Sequence, residues 1–325
     1  MRAFAAADAA IFAGYRNDPA VARYQGWELP VSPLDAAAFV ESQQMVTGPV
    51  PGDWVQIAID CGGELVGDVA VGLDGTGAQA MIGFTLRRDR QRLGLGREAV
   101  AAVVDALFDH AGVHRITAKL DPRNSASARL VEQLGFRYEG CAKAAAAVRG
   151  EWLDDERYAL LREDRREWLA RPAGPPADVR LVKITPGNVG AVAKLATHHS
   201  QERFVATMAD SFRDALVPPE ATVPWMRAIA ADSELAGFVI LDESASAHPE
   251  PLLWRLLIDR RHQRRGIGSR VVPLLADRLR AEGHRVLKTS WLDEQGGPAP
   301  FYRKVGFVPT GDIVGGKVQA TLSLN

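Results

Sequence analysis

"RHQRRGIGSRVV", Arg261 to Val272, sets two glycines around a single residue at the mouth of an apolar-periodic segment, and "DRQRLGLGREAV", Asp89 to Val100, repeats the pattern earlier in the chain. A turn of this kind entering a helix lets backbone N–H groups approach an anion while the helix N-terminus adds partial positive charge. Glycine there removes the Cβ that would obstruct the approach. Arginines crowd both turns: Arg87, Arg88, Arg90, Arg92 and Arg97 in the first, Arg260, Arg261, Arg264, Arg265 and Arg270 in the second. A solvated basic loop accounts for either copy alone. Its recurrence in register favours a ligand bearing several phosphates.

The register is close. Gln91 and Gln263 stand 172 residues apart, and Gly135 and Gly306, from a later "LGF" and "VGF", stand 171 apart. Two copies at so long a period mean a duplicated domain rather than a solenoid. Element order repeats as well. "MIGFTLR" and "LLWRLLID" read as buried strands, each followed by the arginine-rich turn and then a helix, with apolar positions at Val100, Val103, Val104, Leu107 and Phe108 or at Leu274, Leu275 and Leu279. Gly112 and Gly283 end those helices. Strands "RITAKL" and "RVLKTS" follow, then short helices from near Asn124 and Pro298, stopped by Gly135 and Gly306, then hairpins turning near Arg149–Gly150 and Gly315–Gly316. Pro273 is compatible with its helix only near the first turn or at a kink. Proline and glycine in "RPAGPP", Arg171 to Pro176, mark a linker between the halves.

Composition bounds the function. At 325 residues the chain has room for two domains, and its formal net charge of −1 argues against nucleic acid as the main partner. The halves differ mildly in charge, −4 up to Arg171 and +3 after it. Cys61 and Cys141 lack the spacing of a disulfide framework or metal site, so no metal is expected. No uncharged stretch reaches the ~18 residues a membrane helix needs, and Asp8 interrupts any leader-like start. These features lead us to expect a cytoplasmic protein with no membrane and no nucleic-acid partner. Gly94, Gly96 and Ala99 also spell G-x-G-x-x-A, with Asp121 as a ribose-binding acid. Val271 at the third position of the second copy, and the arginine run between strand and turn, weigh against that dinucleotide fold.

Q-x-x-G-x-G between strand and helix, with "LGF" or "VGF" about forty residues on, resembles the GNAT superfamily of acetyl-CoA-dependent N-acetyltransferases, and does so twice. The resemblance implies an α/β (α+β) fold of two tandem GNAT-like domains, residues 1–171 and 178–325, each a mixed, mostly antiparallel sheet flanked by helices. It also implies acetyl-CoA, its pyrophosphate held by the turn amides and its pantetheine arm between two splayed strands. Carried over by position, the cofactor-binding residues are Leu86, Gln91, Arg92, Gly94, Gly96, Arg97 and Asn124 in the first half, and Ile258, Gln263, Arg264, Gly266, Gly268 and Ser269 in the second. Leu86 and Ile258 would act through backbone groups. Asn124 equally suits a helix N-cap.

The first half is similar to the RimJ/RimL branch through "DPRNSASARLVEQLGFRYEG" and "GEWLDDERYALL", with Ser127 placed to act on the leaving thiol. Trp152, Asp154 and Tyr158 match the structural closing strands of that branch, and Met81 stands where it commonly has a glutamate base. The second half is similar to bacterial diamine and polyamine acetyltransferases, with Tyr302 in the place of the general acid and Val131 as its first-half counterpart. Gln295 and Lys317 depart from that branch.

The implied acceptor is a small-molecule amine or a peptide N-terminus. Deprotonating a primary amine at neutral pH costs about 4.6 kcal/mol, so a base or a desolvating pocket is needed. Asp259 and Glu220 are the candidate bases, and a backbone N–H near Ile258 would meet the oxyanion. Phe204, Trp225 and Trp254 are candidates to shape the acceptor site of the second half, and Tyr24, Trp27 and Trp54 that of the first. The second half is expected to be the more active. A non-catalytic acyl-CoA-binding scaffold remains open, because Met81 and Lys317 remove expected carboxylates.

Overall fold

A computed structural model describes residues 1–219, 222–243 and 250–325. The chain divides into two compact units, Met1–Ala170 and Arg171–Asn325.

The first unit opens with helices α1 (Ala9–Arg16), α2 (Pro19–Ala22) and α3 (Pro33–Gln43). Asp18 and Ser32 cap the latter two, each followed by proline at the first helical position. Strands β1 (Trp54–Cys61), β2 (Glu64–Leu73) and β3 (Gln79–Leu86) form an antiparallel meander. Helix α4 (Leu95–Asp109) leads to β4 (Arg115–Leu120), α5 (Ser125–Gln133), the hairpin β5 (Arg137–Val148) and β6 (Glu151–Leu161), and α6 (Arg162–Leu169). The sheet order is β1-β2-β3-β4-β6-β5, with β3–β4 its one parallel pair.

In the second unit β7 (Val179–Val182), α7 (Val189–Val192), α8 (Met208–Leu216), β8 (Pro224–Ala231), β9 (Glu234–Asp242) and β10 (Leu252–Ile258) precede α9 (Ile267–Ala281). Then follow β11 (Val286–Trp291), α10 (Ala299–Lys304), β12 (Val308–Val314) and β13 (Lys317–Ser323). The order is β12-β13-β11-β10-β9-β8-β7, and β10–β11 is the parallel pair. Each sheet is thus mixed and mostly antiparallel with helices on both faces, as the resemblance implied.

Period-two alternation sorts each sheet into two cores. In the first, Val69, Val71, Ile82, Ile116, Ala118 and Tyr158 pack against Val100, Val104 and Leu107 of α4 and Val131 of α5. Each such aliphatic side chain contributes roughly 2 kcal/mol by burial. Ala58 and Leu65 turn the other way, onto Phe12 and Tyr15 of α1 and Val40 of α3. In the second unit one face meets α9 and α10 and the other meets α7 and α8. Two details of the helix expectation change. Leu274 is exposed, the buried stripe of α9 being Val271, Val272, Leu275, Ala276 and Leu279. Pro273 lies beyond the first turn, on an exposed face of a helix that continues through it to Ala281.

Candidate functional site

In both units the parallel strands pair briefly and then part. β3 and β4 pair over Gln79–Ile82 and Arg115–Ala118, while β3 runs on to Leu86 and β4 to Leu120. β10 and β11 pair only at Leu252–Lys288 and Leu253–Thr289 before β10 continues to Ile258. Arg87 N donates to Val66 O and Asp259 N to Ala236 O. Strand alternation therefore points the backbone groups of Phe84 and Leu86, and of Leu256 and Ile258, into the gap. Leu86 O accepts from Gln91 Nε2 at 3.1 Å, and Ile258 O from Gln263 Nε2 at 3.1 Å. Each glutamine thus clasps its turn to the strand end. Gln263 also exchanges amide hydrogen bonds with Gln201 at 2.7 and 3.3 Å.

Facing those strand ends across the antiparallel ladder are Gly67 and Gly237, which the sequence reading did not single out. A Cβ at Gly67 would lie 2.2 Å from Thr85 O, and one at Gly237 2.4 Å from Leu257 O. Close backbone approach, which a glycine inside a strand can signal, positions both gap-lining strands.

The glycine turns repeat in detail. Arg92 (φ 65°) and Gly94 (φ 86°) adopt left-handed backbone, as do Arg264 (φ 65°) and Gly266 (φ 78°). No atom lies within 4 Å of the Cβ position at Gly94 or Gly266. Glu98 N bonds to Gly94 O and Arg270 N to Gly266 O, so the amides of residues 95–97 and 267–269 have no intrahelical acceptor. Gly96 and Gly268 also have a packing role that was not foreseen. A Cβ at Gly96 would meet Leu86 Cδ1 at 2.7 Å, and one at Gly268 the Phe301 ring at 3.1 Å, so these glycines let helix and strand pack closely.

The arginines divide. Arg87 and Arg90 pair with Glu64, and Arg87 also with Asp89. Arg265, 6% exposed, bonds Gly174 O, His262 and Asp232, while Arg270 bonds Pro176 O and Ala177 O, pinning residues 174–177 to the second unit. Arg92, Arg97 and Arg264 are exposed on the turns, with Ser269 half-buried beside them.

Tyr302 is 8% exposed, stacked on Trp291 at 5.3 Å and edge-on to Phe301 and Phe307. Its hydroxyl meets Thr289, whose Oγ1 donates to Leu253 O at the last paired step before the split. Burial pushes the phenol above its ordinary range, so it stays protonated. In the first unit Val131 is fully buried core, and Asn124 Oδ1 caps α5 by accepting Ser127 N at 3.2 Å. Ser127 is half-buried, and its hydroxyl makes no hydrogen bond among the described residues.

Asp259 does not sit as a base should. It is 9% exposed and its two oxygens accept from Arg261 N and Ala196 N, both at 2.9 Å, tying the loop after α7 to the turn. Glu220 lies outside the described residues. Met81 lies on β3 opposite Thr117, and Lys317 opens β13 exposed to solvent. Trp225 packs on the α9 face between Arg227 and Arg278, away from α7 and α8. Trp254 belongs to the α7–α8 face, and Phe204 lies against Gly297. Trp27 covers the Arg16 guanidinium at 4.0 Å, Tyr24 neighbours Arg23 and Arg123, and Trp54 is 53% exposed over Gly72. Trp152, expected to be structural, is 70% exposed.

Among the buried or half-buried charges that the sequence reading did not single out are three on the sheets. Asp68 accepts from Tyr15 Oη at 2.6 Å and Arg16 Nη2 at 2.9 Å. Arg255 follows a bulge in β10 and pairs with Asp214 of α8, while its Nη1 is buried without a partner. Asp155 of β6 is 8% exposed. Adjacent acids in "LDDE" were the available signal for Asp155, but nothing in the sequence says which of them turns inward.

A split parallel pair beside a helix start whose first amides lack an intrahelical acceptor therefore occurs twice. Two family models, described as an acetyltransferase (GNAT) domain and as the acetyltransferase (GNAT) family, match residues 1–137 and 190–307. The chain belongs to the GNAT acetyltransferase superfamily. Among curated relatives, the probable N-acetyltransferase YjcK of Bacillus subtilis is 39% identical over 85 residues, 26% of this chain and 47% of YjcK. The [ribosomal protein uS5]-alanine N-acetyltransferase of Escherichia coli is 34% identical over 83 residues, 26% of this chain and 43% of that enzyme. The chain thus spans about half the length of YjcK. A GNAT acetyltransferase structure from Bacillus anthracis is 26% identical, covering 50% of this chain and 93% of its own at a TM-score of 0.44. No helix among the described residues of this tandem GNAT protein is long and apolar enough to cross a membrane.

Proposed function

We propose that this tandem GNAT protein transfers the acetyl group of acetyl-CoA to a primary amine, with Tyr302 of the second unit as general acid. The observation that carries the reading is the open cradle at Gly94 and Gly266, left-handed and free of neighbours within 4 Å, at helix starts beside the split strands. The cradle fits a pyrophosphate: amides of residues 95–97 and 267–269 donate, the helix N-termini attract negative charge, and Arg92, Arg97, Arg264 and Ser269 flank them. Leu86 and Ile258 would line the gap that takes the pantetheine arm, and Asn124 Nδ2 is available to it. When bound, acetyl-CoA supplies an activated acyl carbon and a thiol leaving group.

The residues of the chain do the rest. A backbone N–H of Leu256 or Ile258 faces the gap and can stabilise an oxyanion, an effect of roughly 3 to 4 kcal/mol in comparable sites. Tyr302 holds a proton at the split for the departing sulfur, and Ser127 offers a hydroxyl in the first unit. The acceptor class, a peptide N-terminus or a small amine, draws support from the relative named as a ribosomal-protein alanine N-acetyltransferase. The cytoplasm is where such acceptors would be met.

Titration calorimetry with acetyl-CoA tests the proposal on the wild type, Arg97→Glu and Ser269→Glu. Glutamate in a first helical turn suits the helix and repels phosphate, whereas substituting Gly94 or Gly266 would strain left-handed backbone. Two sites, one weakened by each variant, are expected. Binding without amine acetylation by either unit would leave an acyl-CoA-binding scaffold, and no binding would overturn the reading.

A further inference from the structure

The face of the first sheet that meets α1 and α3 carries two buried carboxylates, and the fold treats them differently. Ala58, Asp68 and Thr85 are cross-strand partners on this face. Beyond the split, Lys119 pairs across from Arg157, and Asp155 lies two residues further along β6 on the same side, just past the last β4 pairing at Leu120–Glu156. Asp68 is satisfied by Tyr15 and Arg16. Asp155 is 8% exposed, yet among the described residues it makes no side-chain hydrogen bond and no ion pair. Lys119 and Arg157, the charged groups that act on it, are exposed and attract it only through space.

Its carboxyl oxygens are not fully shut from water, so the group is both open to an incoming ligand and largely desolvated, which favours a paired cation. Its natural complement is a compact cation with several N–H donors. The helix bearing the glycine turn packs on the opposite face. Asp155 therefore lies on the face opposite the glycine turn, one strand beyond β4 and just past the end of its pairing.

We propose that Asp155 is the acceptor site of the first unit: it pairs with the ammonium of a primary amine and takes the proton that must leave before transfer. The inference rests on the acetyl-transfer reading. In the step, Asp155 accepts one proton from R–NH3+, the freed nitrogen bonds to the thioester carbonyl carbon, and the C–S bond breaks. The sulfur leaves as thiolate and takes the second proton lost by nitrogen, and Asp155 returns its own proton to solvent. Burial pushes the Asp155 carboxyl above its ordinary range, against the lowering influence of Lys119 and Arg157, which suits it to accept a proton.

The test uses the full chain, acetyl-CoA, and a panel of pentapeptides with free amino termini and simple alkylamines, with products read by mass spectrometry. First-unit acceptors are those whose acetylation falls in Arg97→Glu and not in Ser269→Glu. On these, Asp155→Asn is expected to lower kcat/KM about 100-fold and to abolish the acidic limb of its pH profile, with acetyl-CoA affinity within about twofold of wild type. Asp155→Glu should recover part of the rate. The same Asp155→Asn change should not lower Tm at neutral pH, because among the described residues the Asp155 side chain has no hydrogen bond or ion pair to lose. Unchanged kcat/KM, a lowered Tm, or a first unit that binds acetyl-CoA and acetylates no amine in the panel would each overturn the inference. Failure of acetyl-CoA to bind would instead overturn the reading beneath it.

Discussion

Tyr302 shows how a residue recognised by spacing acquires its chemistry from packing. Its place before Gly306 was legible, but its protonation follows from burial among Trp291, Phe301 and Phe307, and its aim from Thr289 at the start of the split. Tyr302→Phe should lower kcat on second-unit acceptors about 100-fold and leave acetyl-CoA affinity unchanged by calorimetry. Full activity would remove Tyr302 from the chemistry. Asp259 makes the opposite case, because an acid beside the turn reads as a base until both its oxygens are found on backbone amides. Arg16 was silent in the sequence. It is 6% exposed, paired with Asp68 and covered by Trp27. Arg16→Met should cost about 3 to 5 kcal/mol in chemical denaturation, since Asp68 is left buried and uncompensated.

Among the elements, the strands that part are held by features outside the motif. Gly237→Ala puts a Cβ 2.4 Å from Leu257 O, a backbone atom that cannot step aside without moving β10. A loss of about 2 to 4 kcal/mol and weakened acetyl-CoA binding at the second site are expected. Gly96→Ala meets Leu86 Cδ1 at 2.7 Å, the end of a flexible side chain, so its cost should be nearer ~1 kcal/mol, with Leu86 displaced. Pro273 stands exposed inside α9, where proline removes a helical hydrogen bond. Pro273→Ala should stabilise the second unit by about 1 to 3 kcal/mol, read as a higher Tm. The strand, turn and helix order of both halves was legible because apolar period and glycine punctuation are local. The bulge in β10, the outward turn of Leu274 and the packing role of Gly96 were not, because each depends on what lies across the sheet.

For the whole molecule, acid should act on the second unit through its histidines. Burial pushes His198 down to about 4 from its ordinary 6.5 and lowers His262 as well. The unfolded chain therefore takes up protons that the folded unit refuses. Stability that is full above pH 6.5 is lost as pH falls toward 4. The thermal transition that Pro273→Ala raises should fall between pH 7 and 5, and His198→Gln should flatten that fall. An unchanged slope would place the acid sensitivity elsewhere. By itself, the sequence determined the duplication, the order of elements, the glycine turns and the family, because all of these are written in spacings along one chain. Only the tertiary structure decided which arginines lie exposed on the turns, that Gln91 and Gln263 clasp strand ends, that Asp259 is a cap, and that Asp155, 8% exposed, makes no side-chain hydrogen bond or ion pair among the described residues. The physical reason is that hydrogen-bond satisfaction and burial belong to pairs of residues brought together across the sheets. Arg265 and Gly174, 91 positions apart, illustrate it: no local pattern announces that one neutralises the other's donor capacity.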